Sequence, residues 1–291
     1  MRVAAPFKVA SAAIPLRMAR LSAIARETPA RSIRPSREIF HRIGRIIHIE
    51  HAFVTDKLIG VYDTLADALK LLSALDPAVA GIAAMSLRVS LSATAIGCAI
   101  GVPAGALLAI AHFPGRGAVV VMLNALMGLP AVVVGLIVYL ALSRSGPLGH
   151  LGLLFTPGAM IVAQTVLVTP LVAALTRQIV EDADGELGEQ LRAMGLSAWR
   201  RARTLVFDVR FSLAVAILAA FGRAIAEVGA VLVVGGNIAG HTRTMTTAIS
   251  LETQKGDLPL ALALGIVLLA LVIVVNAAAA ALRSHAARRY G

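Results

Sequence analysis

Five runs of apolar residues, at about 79–111, 117–143, 157–177, 211–235 and 259–282, divide this chain, and short polar stretches separate them. Each run is about as long as the roughly 20 residues needed to cross a bilayer. They are rich in Ala, Leu and Val and lack the ten-residue alternation of a barrel strand, so all five read as membrane helices. Ahead of them, Leu65, Leu69, Leu72 and Leu75 form a helical stripe relieved by Asp63, Asp67 and Lys70 and closed by Asp76-Pro77. This pattern predicts a helix lying on the membrane surface over residues 58–78.

One polar island interrupts the apolar pattern more sharply than any other. Between runs three and four, in the loop 178–210, Leu187, Leu191 and Met194 recur at the spacing of one helical face. Gly195 then stands where a helix commonly ends on a left-handed residue, and Ser197 is positioned to cap a second helix carrying Trp199. A short amphipathic helix, a glycine break and a second helix are expected to stand out of the bilayer.

Composition agrees with the pattern: 58% of residues are hydrophobic, 15% are charged and the mean hydropathy is +0.83, values outside the range of ordinary soluble domains. Charge supplies the orientation. Arg177, Arg192, Arg200, Arg201, Arg203 and Arg210 surround the island, and Arg283, Arg288 and Arg289 follow run five, the last two in the tail 284–291. Both segments are therefore expected on the cytoplasmic side. The loop after run two holds Arg144, and that after run four holds Arg243 and Lys255, which places both outside.

Residues 1–57 hold eleven of the 27 Lys and Arg against four acids, so they carry +7 of the net +11. No apolar core of signal-peptide length survives the interruptions by Lys8, Arg17, Arg20 and Arg26. This basic extension is read as disordered, or as the product of a start codon set too early, and a lipid- or nucleic-acid-binding arm is the sharper alternative. Without aromatic interleaving or a nucleic-acid module, no nucleic-acid partner is expected. The single Cys98 permits no intrachain disulfide and, with no His-Glu-x-x-His pair, no metal site is expected.

None of the lysines, Lys8, Lys57, Lys70 and Lys255, follows a glycine, so the chain has no P-loop, and no Gly-x-Ser-x-Gly elbow is present. A membrane protein of this kind follows a gradient or takes its drive from a partner. A gradient-driven secondary transporter would need titratable membrane residues, for which Glu227 is the one good candidate.

Several polar residues lie inside the apolar runs. Pro130 and Pro170 each remove a backbone donor and free a carbonyl in mid-membrane, and Gln164, Thr165 and Thr169 lie near Pro170. Such breaks often line a transport path, although small polar residues also mediate packing. Arg223 and Glu227 are four apart on one helical face, where an isolated charge costs about 3 kcal/mol, so an intramembrane ion pair is expected, with gating or contact with cargo as alternatives. Gly235, Gly236 and Asn237 free the backbone to turn, and Thr242, Arg243, Thr244, Thr246 and Thr247 crowd hydrogen-bond donors toward the outer face, as a ligand-facing loop or an ordinary solvated loop would.

Two motifs carry a family resemblance. Glu189, then Gly195 six residues on, then Leu205 and Phe207 after nine more, resembles the EAA loop of ABC importer permeases, with Gln190 and Leu191 replacing the two alanines and Asp208 replacing a proline. Phe221, Arg223, Glu227, Gly229, Ala230, Gly236, Asn237, Gly240, Thr242 and Thr244 are similar in spacing to the following segment of the molybdate, sulfate and tungstate branch. The continuation through Leu251, Glu252, Thr253, Lys255 and Gly256 looks most like tungstate-specific permeases.

The resemblance covers roughly residues 60–283. It implies an all-α integral membrane protein of the type I ABC importer permease fold with about five transmembrane helices, in a permease domain spanning 79–283, located in the bacterial cytoplasmic membrane. It further implies a homodimer working with two copies of a partner ATPase, which binds ATP and Mg, and with an extracytoplasmic oxyanion-binding protein. Glu189, Leu191, Met194, Gly195, Leu196 and Trp199 would couple to the ATPase. Gly236, Asn237, Thr242, Arg243 and Thr244 would gate the outer mouth or meet the binding protein. Tungstate is the expected cargo, with molybdate or sulfate the alternative.

Overall fold

The computed structural model describes residue 60, residues 62–74 and residues 76–290; the basic extension at 1–57 lies outside the described residues. Helix α1 (62–73) turns Leu65 and Leu69 outward and tucks Leu72 against the bundle. Asp76 does more than end it. Its carboxylate accepts the backbone N–H groups of Ala78 and Val79, and Pro77 opens the next helix, so Asp76-Pro77 starts α2 (Pro77–Ile110).

Two long helices form the spine, α2 and α5 (Pro157–Ala193). At about 1.5 Å per residue they are roughly 51 and 55 Å long, well beyond a hydrocarbon core of about 30 Å. They lie against each other along Gly97, Gly101 and Gly105. A Cβ added at Gly101 would fall 2.9 Å from the Thr169 carbonyl oxygen, and one at Gly105 would collide with the Ala173 carbonyl oxygen. The glycines thus let the two backbones approach as close as dispersion packing in a membrane favours. Because α5 runs unbroken to Ala193, the expected first island helix is the far end of this same rod, and the helix leaves the bilayer without a joint.

The other spans are more broken than the apolar pattern predicts. Run two is two helices, α3 (Arg116–Met127) and α4 (Ala131–Leu142), bent by 97°. Pro130 stands immediately before α4, in extended conformation at the break. It starts a helix instead of freeing a carbonyl inside one. After a 3-10 turn at Gly149–Leu151 and α5, α6 (Ala198–Asp208) meets α7 (Arg210–Ile225) at a 77° bend, and run four stops at Ile225 before resuming as the short α8 (Gly229–Gly235). Then follow α9 (Met245–Lys255) and α10 (Leu258–Tyr290). Among the described residues three helices are long and apolar enough to cross a membrane, or up to five if each bent pair counts as one span.

The side chains sort as a bilayer requires. Val89, Val138, Met160, Val231 and Val234 form one buried cluster, and Phe221, Ile225, Met245 and Leu264 a second. Large apolar side chains such as Val121, Ile137, Leu269 and Val274 point outward, where lipid, not water, is their natural neighbour.

Candidate functional site

The island forms a projecting elbow. Helix α5 ends with Met194 at its C-cap and Gly195 at φ +73°. Gly195 N–H donates to the Arg192 carbonyl at 2.9 Å, and Leu196 N–H to the Leu191 carbonyl at 3.3 Å. These two bonds make a Schellman ending, which satisfies carbonyls the helix would leave orphaned. Ser197 occupies the N-cap of α6 as expected, although its side chain makes no capping bond. Around the elbow Glu189 is exposed, Leu191 and Leu196 are half-buried, and Met194 and Trp199 are 74% and 58% exposed. Large apolar side chains are thus bared among arginines on a segment beyond the apolar run 157–177.

Arginine ties that the charge pattern does not announce fasten this elbow to the bundle. Arg201 of α6 meets Asp184 of α5 at 3.2 Å and donates to the Ile110 carbonyl at 3.1 Å, at the end of α2. Arg116 donates to the Leu108 and Ala109 carbonyls, each at 3.1 Å, and pairs with Glu181 at 3.0 Å; Arg177 pairs with the same carboxylate. Two cations therefore occupy the negative end of α2, whose last carbonyls lack helical donors. The available signal was the pair Glu181 and Asp184, acids lying among many arginines.

Near mid-bundle, Pro170 sits inside α5 and leaves the Val166 carbonyl without its helical donor. Thr169 Oγ1 donates to the Thr165 carbonyl at 2.7 Å, while the buried Thr165 Oγ1 finds no partner. Gln164, 3% exposed, donates from Nε2 to the Ala224 carbonyl at 2.9 Å and has no partner at Oε1. The expected Arg223–Glu227 ion pair is not formed. Helix α7 ends at Ile225, so the two residues no longer share a continuous helical face, and Glu227 Oε1 instead accepts the Gly229 N–H at 2.8 Å. Arg223 is exposed and has no hydrogen-bond or ion-pair partner among the described residues, and it lines a narrow groove with Gln164, Leu167, Val168, Ala224 and Glu227. Arg88, on the outward face of α2, was passed over in an otherwise apolar run.

At the end opposite the elbow, residues 236–244 fold back along α2. Gly236 and Asn237 both take positive φ, and Asn237 Nδ2 donates to the Thr247 carbonyl at 3.2 Å. The threonines expected to offer donors outward are buried and internally used. Thr242 Oγ1 donates to the Gly235 carbonyl at 2.6 Å and accepts the Ile238 N–H, and Thr244 and Thr247 form a capping box at the start of α9. A buried polar group must find a partner, and here the threonines close a tight turn. Thr246 Oγ1 reaches the Glu227 carbonyl at 2.9 Å, and the Met245 N–H reaches Ser86 Oγ at 2.7 Å, so the segment is stitched to both sides of the bundle. Arg243 pairs with the buried Glu252 at 3.3 Å. It also borders a cleft of about 270 Å³ lined by Pro77, Gly81, Met85, Gly240 and His241.

Broken helices around a small groove, a folded-back segment at one end and a bared elbow at the other are the features of a helical membrane protein. Residues 101–289 match the family described as binding-protein-dependent transport system inner membrane component, and the chain belongs to that family. It has the type I ABC importer permease fold and is a multi-pass inner-membrane protein. Membership implies a transport system that also contains an ATPase and a binding protein.

Among curated proteins, the chain is 41% identical over 199 residues to the tungstate uptake system permease protein TupB of Peptoclostridium acidaminophilum, covering 68% of this chain and 87% of that one. It is 43% identical over 189 residues to a probable anion ABC transporter permease protein of Haloferax volcanii, covering 63% and 82%. The molybdenum transport system permease protein ModB of Escherichia coli K12 is more distant, 28% identical over 173 residues, covering 57% and 76%.

Proposed function

We propose that this chain is the permease of a tungstate importer, acting as a homodimer with two copies of a separate ATPase and an extracytoplasmic anion-binding protein. The observation that carries the coupled mechanism is the elbow. Its Schellman ending fixes the direction of α6, and Met194 and Trp199 stand bare beside Glu189 at the arginine-rich, cytoplasmic end. ATP and Mg bind to the partner, since this chain has no P-loop of its own. Closure of the ATPase pair moves the elbow, and the arginine bonds to Asp184, Glu181 and the end of α2 carry that movement into both spine helices. Identity above 40% with a tungstate permease, against 28% with a molybdenum permease, supports the choice of cargo.

The test is reconstitution of the permease, its ATPase and its binding protein in proteoliposomes with labelled tungstate. ATP-dependent uptake that resists excess sulfate and molybdate is the expected result. Uptake without ATP would favour a gradient-driven carrier, and preference for molybdate or sulfate would reassign the cargo.

A further inference from the structure

Arg223 lies two residues from the end of α7, about 20 Å along that helix from its arginine-rich end and so at mid-depth in the bundle. An unpaired guanidinium at that depth is stable only toward protein or water, not toward lipid. Its immediate setting is mixed, with Leu167, Val168 and Ala224 beside two polar side chains. Gln164 and Glu227 share the groove with it, and residues 226–228 beside it are non-helical. Irregular backbone at membrane depth is tolerated where it borders protein or a water-filled path.

Glu227, the nearest acid in sequence, directs Oε1 to the Gly229 amide, and Gln164 uses its Nε2 to hold the Ala224 carbonyl next to Arg223. The guanidinium thus stands on a backbone tied to α5 and keeps its own donors free. The groove encloses only about 10 Å³, room for roughly one water, so its walls must part before anything larger reaches the arginine.

Resting on the tungstate reading above, we infer that Arg223 is the intramembrane contact for the transported oxyanion, with one guanidinium from each of two copies facing a shared path. A planar guanidinium offers paired N–H groups that match two oxygens of a tetrahedral anion. Two such groups balance the charge of a dianion, and one chain alone supplies half of the site. Gln164 is a positioning residue, holding the end of α7 against α5.

The experiment uses the full transporter in proteoliposomes. Arg223→Gln should lower tungstate uptake per ATP hydrolysed by about tenfold or more, the scale of losing a charge-assisted bidentate contact, in a transporter that still assembles with its ATPase. Arg223→Lys should recover a substantial part, which loss of packing alone would not predict. In a Cys98→Ala background, a cysteine replacing the exposed Ala226 should react with an anionic, water-soluble methanethiosulfonate during turnover and be protected by tungstate. No reaction there would put this wall against lipid and overturn the inference, even if Arg223→Gln failed to assemble. Unchanged coupling in an assembled Arg223→Gln transporter would overturn it equally. Absence of tungstate uptake by the unmodified transporter would instead overturn the proposed function.

Discussion

Arg201 and Asp184 meet at 3.2 Å where α6 crosses α5, their side chains only 9% and 13% exposed, and the same guanidinium donates to the last carbonyl of α2 at 3.1 Å. One side chain thus joins the elbow to both spine helices. Replacing Arg201 by Met removes the nearer cation from a mostly buried carboxylate, leaving Arg192 at 3.7 Å, and takes the donor from a helix-end carbonyl; breaking a buried pair from one side costs about 3 kcal/mol. Arg201→Met should lower the melting temperature of the purified permease and reduce uptake more than ATP hydrolysis. Asp184→Asn, which keeps an acceptor beside Arg201, should be milder by both measures. Equal thermal stability in Arg201→Met and the unmodified protein would show that the pair is not a structural tie.

Gly195 provides a separate test of the elbow. No atom lies within 4 Å of a Cβ added there, yet φ is +73°, so a side chain meets backbone strain without a packing clash. Left-handed conformation costs a non-glycine residue about 1–2 kcal/mol. Gly195→Val should leave membrane insertion intact but redirect α6, and co-purification with the ATPase should fall. Gly195→Asn, which tolerates the left-handed region better, should retain more of the complex.

The glycine stripe predicts the opposite pattern, with stability affected before coupling. At Gly101 a Cβ would lie 2.9 Å from the Thr169 carbonyl oxygen, so Gly101→Leu must push α2 off α5. Thermal unfolding in detergent should shift downward by several degrees, consistent with an overpacking cost of about 1–3 kcal/mol. Gly81→Leu, where no atom lies within 4 Å of the added Cβ, serves as the control and should unfold near the unmodified temperature.

The apolar runs, the arginine-rich end and the turn at Gly195 were legible because each depends on local chemistry: burial of apolar surface, charge bias and a positive φ. Arg223 and Glu227 were misread because an i, i+4 argument holds only while the helix continues, and α7 stops at Ile225. Pro130 was misplaced for the same reason, since a proline reads alike inside a helix and just before one. The threonines of 242–247 pointed outward in the sequence reading because a polar cluster between apolar runs resembles a solvated loop. Their actual partners, Gly235, Glu227 and one another, come from a fold-back that no short-range pattern announces. The ties from Arg116 to Glu181 and from Arg201 to Ile110 were invisible because the partners lie 65 and 91 residues apart in the chain.

The last prediction follows from Arg243, expected as an open gate residue and found beside Glu252 instead. Their side chains are 18% and 6% exposed, and Lys255 joins the same carboxylate at 3.1 Å. Arg243→Glu would place two carboxylates together in a mostly buried site, so its first effect should be local unfolding of the folded-back segment, with any loss of anion attraction secondary. The charge-swapped variant Arg243→Glu with Glu252→Arg separates the two roles. If Arg243 mainly braces the turn, the swap should recover much of the thermal stability and uptake lost in Arg243→Glu. If the cleft at Arg243 meets the binding protein, the swap should recover stability while binding-protein-stimulated ATP hydrolysis stays low, and that deficit should change with ionic strength, because exposed charges are screened over roughly 8 Å at physiological salt. Full stability of Arg243→Glu alone would show that the pair with Glu252 does not hold the segment in place.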